Sequence, residues 1–219
     1  MASSDGMELL MGQDFPAIFI GDALSLDFLN SIATPVDTPI DWIADGKGLL
    51  NWLEQTQLVP VEALTSMRAR ALPGELDTVA AQARRLREWF RGFVQKHKGR
   101  PLGRKALGEL DQLNRLLDRD EAFTRIVARR EKENVPFELQ YVRRWRSSEM
   151  LLLPIGEAIA QFVCTEDFSN VKACEGPVCT LFFADHTRGR ARRWCSMAIC
   201  GNRAKQAAHR HRLKRADAK

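Results

Sequence analysis

Four cysteines near the C-terminus carry the clearest chemistry in the sequence. "CEGPVC" supplies Cys174 and Cys179, and "CSMAIC" supplies Cys195 and Cys200. Each pair brackets four residues, and fifteen residues separate the pairs. Four thiolates satisfy a tetrahedral Zn2+, and two cysteines joined by a short turn can bite one ion together. Gly176-Pro177 provides that turn inside the first pair. Two equal spacings at this distance argue against four unrelated buried cysteines. His186 lies between the pairs and could ligate, but a complete set of cysteines leaves it no vacancy. Cys164 stands apart and is expected to be a small core hydrophobe.

The charge around this quartet is uneven. From Cys174 to Lys219 there are eleven Lys or Arg against Glu175, Asp185 and Asp217, whereas the first 173 residues hold 22 basic and 25 acidic residues. A weakly acidic body thus carries a strongly basic end, which suggests a polyanionic partner for the end alone. The 219 residues, 45% of them hydrophobic, suffice for one full domain plus a small appendage. No apolar run is long enough to span a membrane. The start, "MASSDGMELLMGQDF", lacks the basic n-region of a signal peptide, so a cytoplasmic protein with reduced thiols is expected.

The elements that must position the quartet follow from periodicity. A short strand is expected at Ala17–Ile20, then a helix with Leu24, Phe28 and Leu29 on one side, ended by Pro35. Gly46 to Gln57 reads as a helix with Leu49, Leu50 and Leu53 inward. Pro73-Gly74 introduces the longest amphipathic helix, marked by Leu76, Val79, Ala83, Leu86, Phe90 and Phe93. Leu107, Leu110, Leu113 and Leu117 repeat the pattern. The period then changes: "FELQYV" alternates Phe137, Leu139 and Tyr141 with polar residues, which predicts a half-buried strand. "FTRIVARR" is its hairpin partner across "EKENVP". Ile155, Ile159 and Phe162 mark a last body helix. The expected fold is α+β: a predominantly helical N-terminal domain with a β-hairpin over residues 1–170, then a small zinc finger over 171–219, a treble-clef-like knuckle plus helix. In the finger a strand is expected at Leu181–Phe183, and Cys200 should open the terminal helix.

The body shows no catalytic constellation. It has no glycine-rich phosphate loop, no nucleophile elbow and no paired histidines on a helix, and ligation by four cysteines leaves zinc no open position for water. An enzyme is therefore not expected. His97 suits a helix C-terminus. Asp27 and Asn30, three apart on one helix face, could line a ligand pocket, with capping or a buried hydrogen-bond network as the competing role.

The stretch "CEGPVCTLFFADHTRGRARRWCSMAICGNRAKQAAHRHR" resembles the CGNR zinc finger, whose tetrapeptide is Cys200–Arg203 here. "ALSLDFLNSI" and "DWIADGKGLLNWL" are similar to the start of the ABATE domain, which usually accompanies that finger. Together the two likenesses cover nearly the whole chain. They imply a bacterial protein of the stress-induced transcription-regulator type.

The residues of the end agree with that implication. On a helix from Cys200, Ala204, Ala207 and Ala208 share one sector and can pack on the knuckle, while Arg203, Gln206, Arg210 and Lys214 share the next. Lys205, His209 and Arg212 widen the polar surface, and Arg188, Arg190, Arg192 and Arg193 form a second basic cluster. Such residues contact phosphates or reach base edges in the major groove. The expected function is zinc-dependent DNA binding in transcription regulation, the body sensing a small-molecule effector or mediating homodimerisation. The alternative is a ligand-binding body whose finger contacts RNA or an acidic protein. A pocket with convergent polar groups favours a sensor, and a flat apolar face favours a dimer.

Overall fold

The computed structural model describes residues 10–11, 16–34, 39–129 and 135–216, the side chains of 10, 11 and 211–216 excepted. Pro35 and most of the "EKENVP" turn lie outside the described residues. The body is built around α4 (Glu75–His97), whose stripe of Val79, Ala83, Leu86, Phe90 and Phe93 is buried as its period requires. Packed on it are α1 (Leu24–Leu29), α2 (Gly46–Thr56) and α6 (Leu152–Thr165). At Gly46, the first residue of α2, a Cβ would come within 2.4 Å of the Leu76 Cβ, so α2 can approach α4 this closely only through a glycine. The Gly46 amide donates to Asp77 Oδ1 at 2.9 Å, joining the two helix starts.

Short strands complete the body. β1 (Leu10–Met11) pairs in parallel with β3 (Ile40–Asp41), and β2 (Ile32–Ala33) pairs antiparallel on the other side. Asp41 and Arg87 form a buried two-pronged ion pair at 2.7 and 2.8 Å. Arg87 also donates to Ser31 Oγ at 3.0 Å, so one guanidinium locks the sheet onto α4. Burial opposes its charge, but Asp41 and Glu88 outweigh that and raise its pKa. After α3 (Val61–Arg70) and α5 (Asp111–Leu117), β4 (Ala122–Ala128) and β5 (Phe137–Arg143) form a regular antiparallel hairpin.

Several expectations are corrected. Ala17–Ile20 is extended but joins no sheet; the Ala17 amide donates to the Gln55 side chain and the Ile20 amide to Asp27 Oδ1. Leu107 lies in a 3-10 stretch, Arg104–Leu110, and is exposed, because the α-helical period starts only at Asp111. Phe137, Leu139 and Tyr141 are exposed rather than half-buried, since no other described element covers their face. Cys164 is exposed. It lies nine residues beyond Ile155, about 180° around α6 from the Ile155, Ile159 and Phe162 stripe that faces the core. α3 and the three-stranded sheet carried no legible period.

The finger adds β6 (Val171–Ala173), β7 (Phe182–Ala184) and α7 (Asn202–Ala216). Its buried residues, among them Phe182, Phe183, Cys174, Cys195 and Cys200, belong to the same core cluster as α1, α4 and α6. The apolar core therefore runs without a break across residue 170.

Candidate metal centre

β6 and β7 pair antiparallel, Val171 opposite Ala184 and Ala173 opposite Phe182. Cys174 follows β6 directly, and its amide donates to the Leu181 carbonyl at 2.9 Å, so hairpin pairing continues past the strands. The chain then turns through Gly176 to Cys179, whose amide donates back to the Gly176 carbonyl. A Cβ at Gly176 would lie 3.1 Å from Cys200 Sγ, inside the thiol cluster. The returning segment carries Cys195, tied to the first turn by the Glu175 amide donating to the Arg193 carbonyl. Cys200 sits in a wide π-type turn, Met197–Gly201, capped by Ser196 Oγ, and α7 begins two residues later at Asn202.

All four sulfurs lie within 4.8 Å of one another. Cys179 and Cys195 are 3.7 Å apart, and Cys195 and Cys200 are 3.6 Å apart. A tetrahedral zinc with Zn–S near 2.3 Å places its ligands about 3.8 Å apart, so the four thiols fit that ion. Cys174 Sγ also accepts the amides of Gly176 at 3.4 Å and Cys195 at 3.2 Å, bonds that suit a thiolate. The thiols bias one another. A hydrogen bond from Cys195 is the main cause of the fall of the Cys179 pKa to about 5. The same bond, then burial and the Cys179 charge, push Cys195 up. Burial pushes Cys200 up to about 12. Four such groups hold their charge together only around a cation. His186 pairs with Glu166 at 3.0 Å instead.

Side chains beyond the four cysteines brace this centre and tie it to the body. Asp185 is fully buried and accepts from Lys172 Nζ at 2.7 Å, Thr187 Oγ1 at 2.5 Å and the Thr187 and Arg192 amides. Burial would raise its pKa, but these donors outweigh burial and hold the carboxyl well below the usual range. Arg192 donates to the carbonyls of Ile20, Trp194 and Cys195, pairs with Asp22, and stacks 4.2 Å over Phe183. It braces the knuckle, so this member of the basic cluster is engaged within the protein. Asn30, on the body, grips Phe182 of the finger: its amide donates to the Phe182 carbonyl at 2.8 Å and its oxygen accepts the Phe182 amide at 2.9 Å.

Asp27 Oδ1 accepts the amides of Ile20 at 2.9 Å and Gly21 at 2.8 Å. Asp27 and Asn30 are thus both engaged with backbone groups. Burial raises the Asp27 pKa from 3.8 to about 6. A raised carboxyl pKa contributes stability that is present below about pH 4 and is lost as pH rises through about 6. Asp27→Asn keeps the acceptor and removes the titration. From pH 7 to pH 5 the native protein should therefore gain about 1 kcal/mol relative to this variant, measured by urea unfolding at both pH values.

The remaining basic residues divide in two. Arg190 faces Asp167 at 3.7 Å, and Arg193 reaches Glu175 at 2.6 Å while lying over Trp194. Arg188, Lys205 and Arg210 are exposed, with no carboxylate partner among the described residues. Arg203 is exposed beside Gly176, Cys179 and Cys200. Ala207 and Ala208 are exposed rather than packed on the knuckle, and only Ala204 is partly covered, because α7 leaves the body after its first turn. The side chains of Arg212 and Lys214 lie outside the described residues.

Two family models match the chain: "Putative stress-induced transcription regulator", ABATE, over residues 22–166, and the CGNR zinc finger over residues 170–213. The chain belongs to the ABATE family. Its ABATE region ends just before β6, and its CGNR finger holds all four clustered thiols, so Zn2+ is the cofactor of this centre. No curated protein matches the chain. Among the described residues of this ABATE protein, no helix is long and apolar enough to cross a membrane.

Proposed function

We propose that this ABATE protein is a DNA-binding transcription regulator whose contact element is α7, aimed by the zinc centre. The observation that carries the reading is the setting of α7. It springs from the turn that holds Cys200, shows no buried apolar face over Asn202–Arg210, and presents Lys205 and Arg210 to solvent. A helix with no buried face over its described side chains and with this charge suits a phosphate backbone or a major groove. Arg188, on the loop braced by Asp185, adds a further cation. Four thiolates around zinc leave no position for a substrate, so the centre serves geometry rather than catalysis.

The body offers room for an effector. A groove of about 670 Å3 between α4 and the finger is lined by Thr34, Glu88, Arg91, Gln95, Thr180 and Phe182 and touches Cys179. Ile32, Ala33, Pro39 and Ala173 make most of its wall apolar, and Glu88 and Arg91 pair with each other at 3.0 Å on its rim, so the groove suits a mainly apolar effector beside a zinc ligand.

A salt titration against duplex DNA tests the reading. Arg188, Lys205 and Arg210 supply three contacts, so log affinity should fall with log salt at a slope of about −3. Lys205→Ala and Arg210→Ala should each reduce that slope by about 0.9 and keep the zinc. Absence of binding to duplex of any sequence at about 50 mM salt, where phosphate contacts are strong, would transfer the basic helix to RNA or an acidic protein.

A further inference from the structure

We propose that the β4–β5 hairpin is the contact surface for a second copy of this chain, the two hairpins packing face to face about a two-fold axis. Its register places Thr124 opposite Tyr141, Ile126 opposite Leu139 and Ala128 opposite Phe137. Opposed residues share a face, so these six side chains form one surface. Ile126 is 73% exposed, Leu139 69%, Phe137 61% and Tyr141 58%. No other described element packs substantially on either strand. A two-stranded hairpin is marginal in water on its own, and a regular apolar face of this kind needs cover.

The shape of the face selects its occupant. The β5 column is bulky, Phe137, Leu139 and Tyr141, and the β4 column is smaller, Ala128, Ile126 and Thr124. A two-fold axis along the strands sets the bulky column of each copy over the small column of the other. Phe137 then meets Ala128 of the second copy, Leu139 meets Ile126, and Tyr141 meets Thr124. Phe137 over Ala128 and Tyr141 over Thr124 set large side chains against small ones, and Leu139 over Ile126 packs two of equal size, at the spacing of packed sheets, roughly 10 Å. The face is its own complement, which is what an isologous contact requires. The four large side chains leave on the order of 500 Å2 in solvent, so two copies bury about 1,000 Å2 from these residues alone, the lower bound for a specific interface. At the base, Arg143 is held by Asp120, on the turn that leads into β4, at 2.6 Å and by Glu157 of α6 at 2.9 Å, which anchors the hairpin to α6 while its outer rows stay open. Such a dimer carries two copies of α7, whatever α7 binds.

The test is the mass of the zinc-loaded full chain by sedimentation at about 100 μM, a concentration at which an interface of the smallest specific size is populated. The native protein should sediment at twice the 24.8 kDa chain mass. Leu139→Glu buries a carboxylate in the contact and should weaken association on the order of 100-fold or more, giving single chains with unchanged zinc content and far-UV circular dichroism. Ala128→Trp fills the space that Phe137 of the second copy needs and should do the same. Gln140→Glu adds the same charge on the opposite face and should leave the dimer intact. A native protein that is monomeric throughout, a Leu139→Glu protein that stays dimeric, or a Gln140→Glu protein that dissociates as readily would each overturn the assignment.

Discussion

Chelation of the zinc, or Cys200→Ser, is expected to unfold residues 171–216 and to lower the stability of the body as well. Structural zinc in a small finger contributes roughly 10–16 kcal/mol, while a whole domain has a net stability of only about 5–15 kcal/mol. The finger therefore cannot keep its fold once a ligand is lost. The effect spreads because the core is shared. Phe182, Phe183 and Ala184 are buried against the body, and Asn30 is fully buried with its amide engaged on Phe182. When β7 leaves, a buried amide loses both partners, and an unsatisfied buried polar group costs about 1–3 kcal/mol. Elemental analysis should show one zinc per native chain. In the variant, far-UV circular dichroism should retain most of the helical signal of α2, α4 and α6, with a lower melting temperature. Full zinc occupancy in Cys200→Ser would remove this residue from the ligand set, and an unchanged body melting point would show that the body is indifferent to the finger. Acid should release the metal too, because thiolates bind zinc and thiols do not.

Arg87→Met is expected to cost about 3–5 kcal/mol. The substitution leaves the Asp41 carboxylate buried without its cation, and Ser31 Oγ without its donor. The double variant Asp41→Leu/Arg87→Met removes both charges and should recover part of the loss. Recovery is incomplete because the Ile43 amide also donates to Asp41 Oδ1 at 3.1 Å and loses that partner. Urea unfolding of the three proteins checks this: a single variant within 1 kcal/mol of native would show that the pair adds nothing to stability, contrary to the cost of an orphaned buried charge.

Features that depend on near neighbours along the chain are legible in its residues. Cysteine spacing named the zinc ligand set, because two turns of fixed length and four thiolates already specify a tetrahedral site. Helical period identified α2, α4 and α6 with their inward faces, and alternation located the hairpin. What each exposed or buried group meets depends on the packing of distant segments. Phe137, Leu139 and Tyr141 alternate as a half-buried strand would, yet period cannot say whether a partner layer exists, and none covers them within the described chain. Arg192 is one of four arginines in "RGRARR" by composition, and only the approach of Ile20, Asp22 and Phe183 makes it a brace. Asn30 grips Phe182 across 152 residues, a separation over which spacing carries no information. Local chemistry is written in intervals along the chain, whereas burial, hydrogen-bond partners and surface charge are set by which distant segments the core draws together.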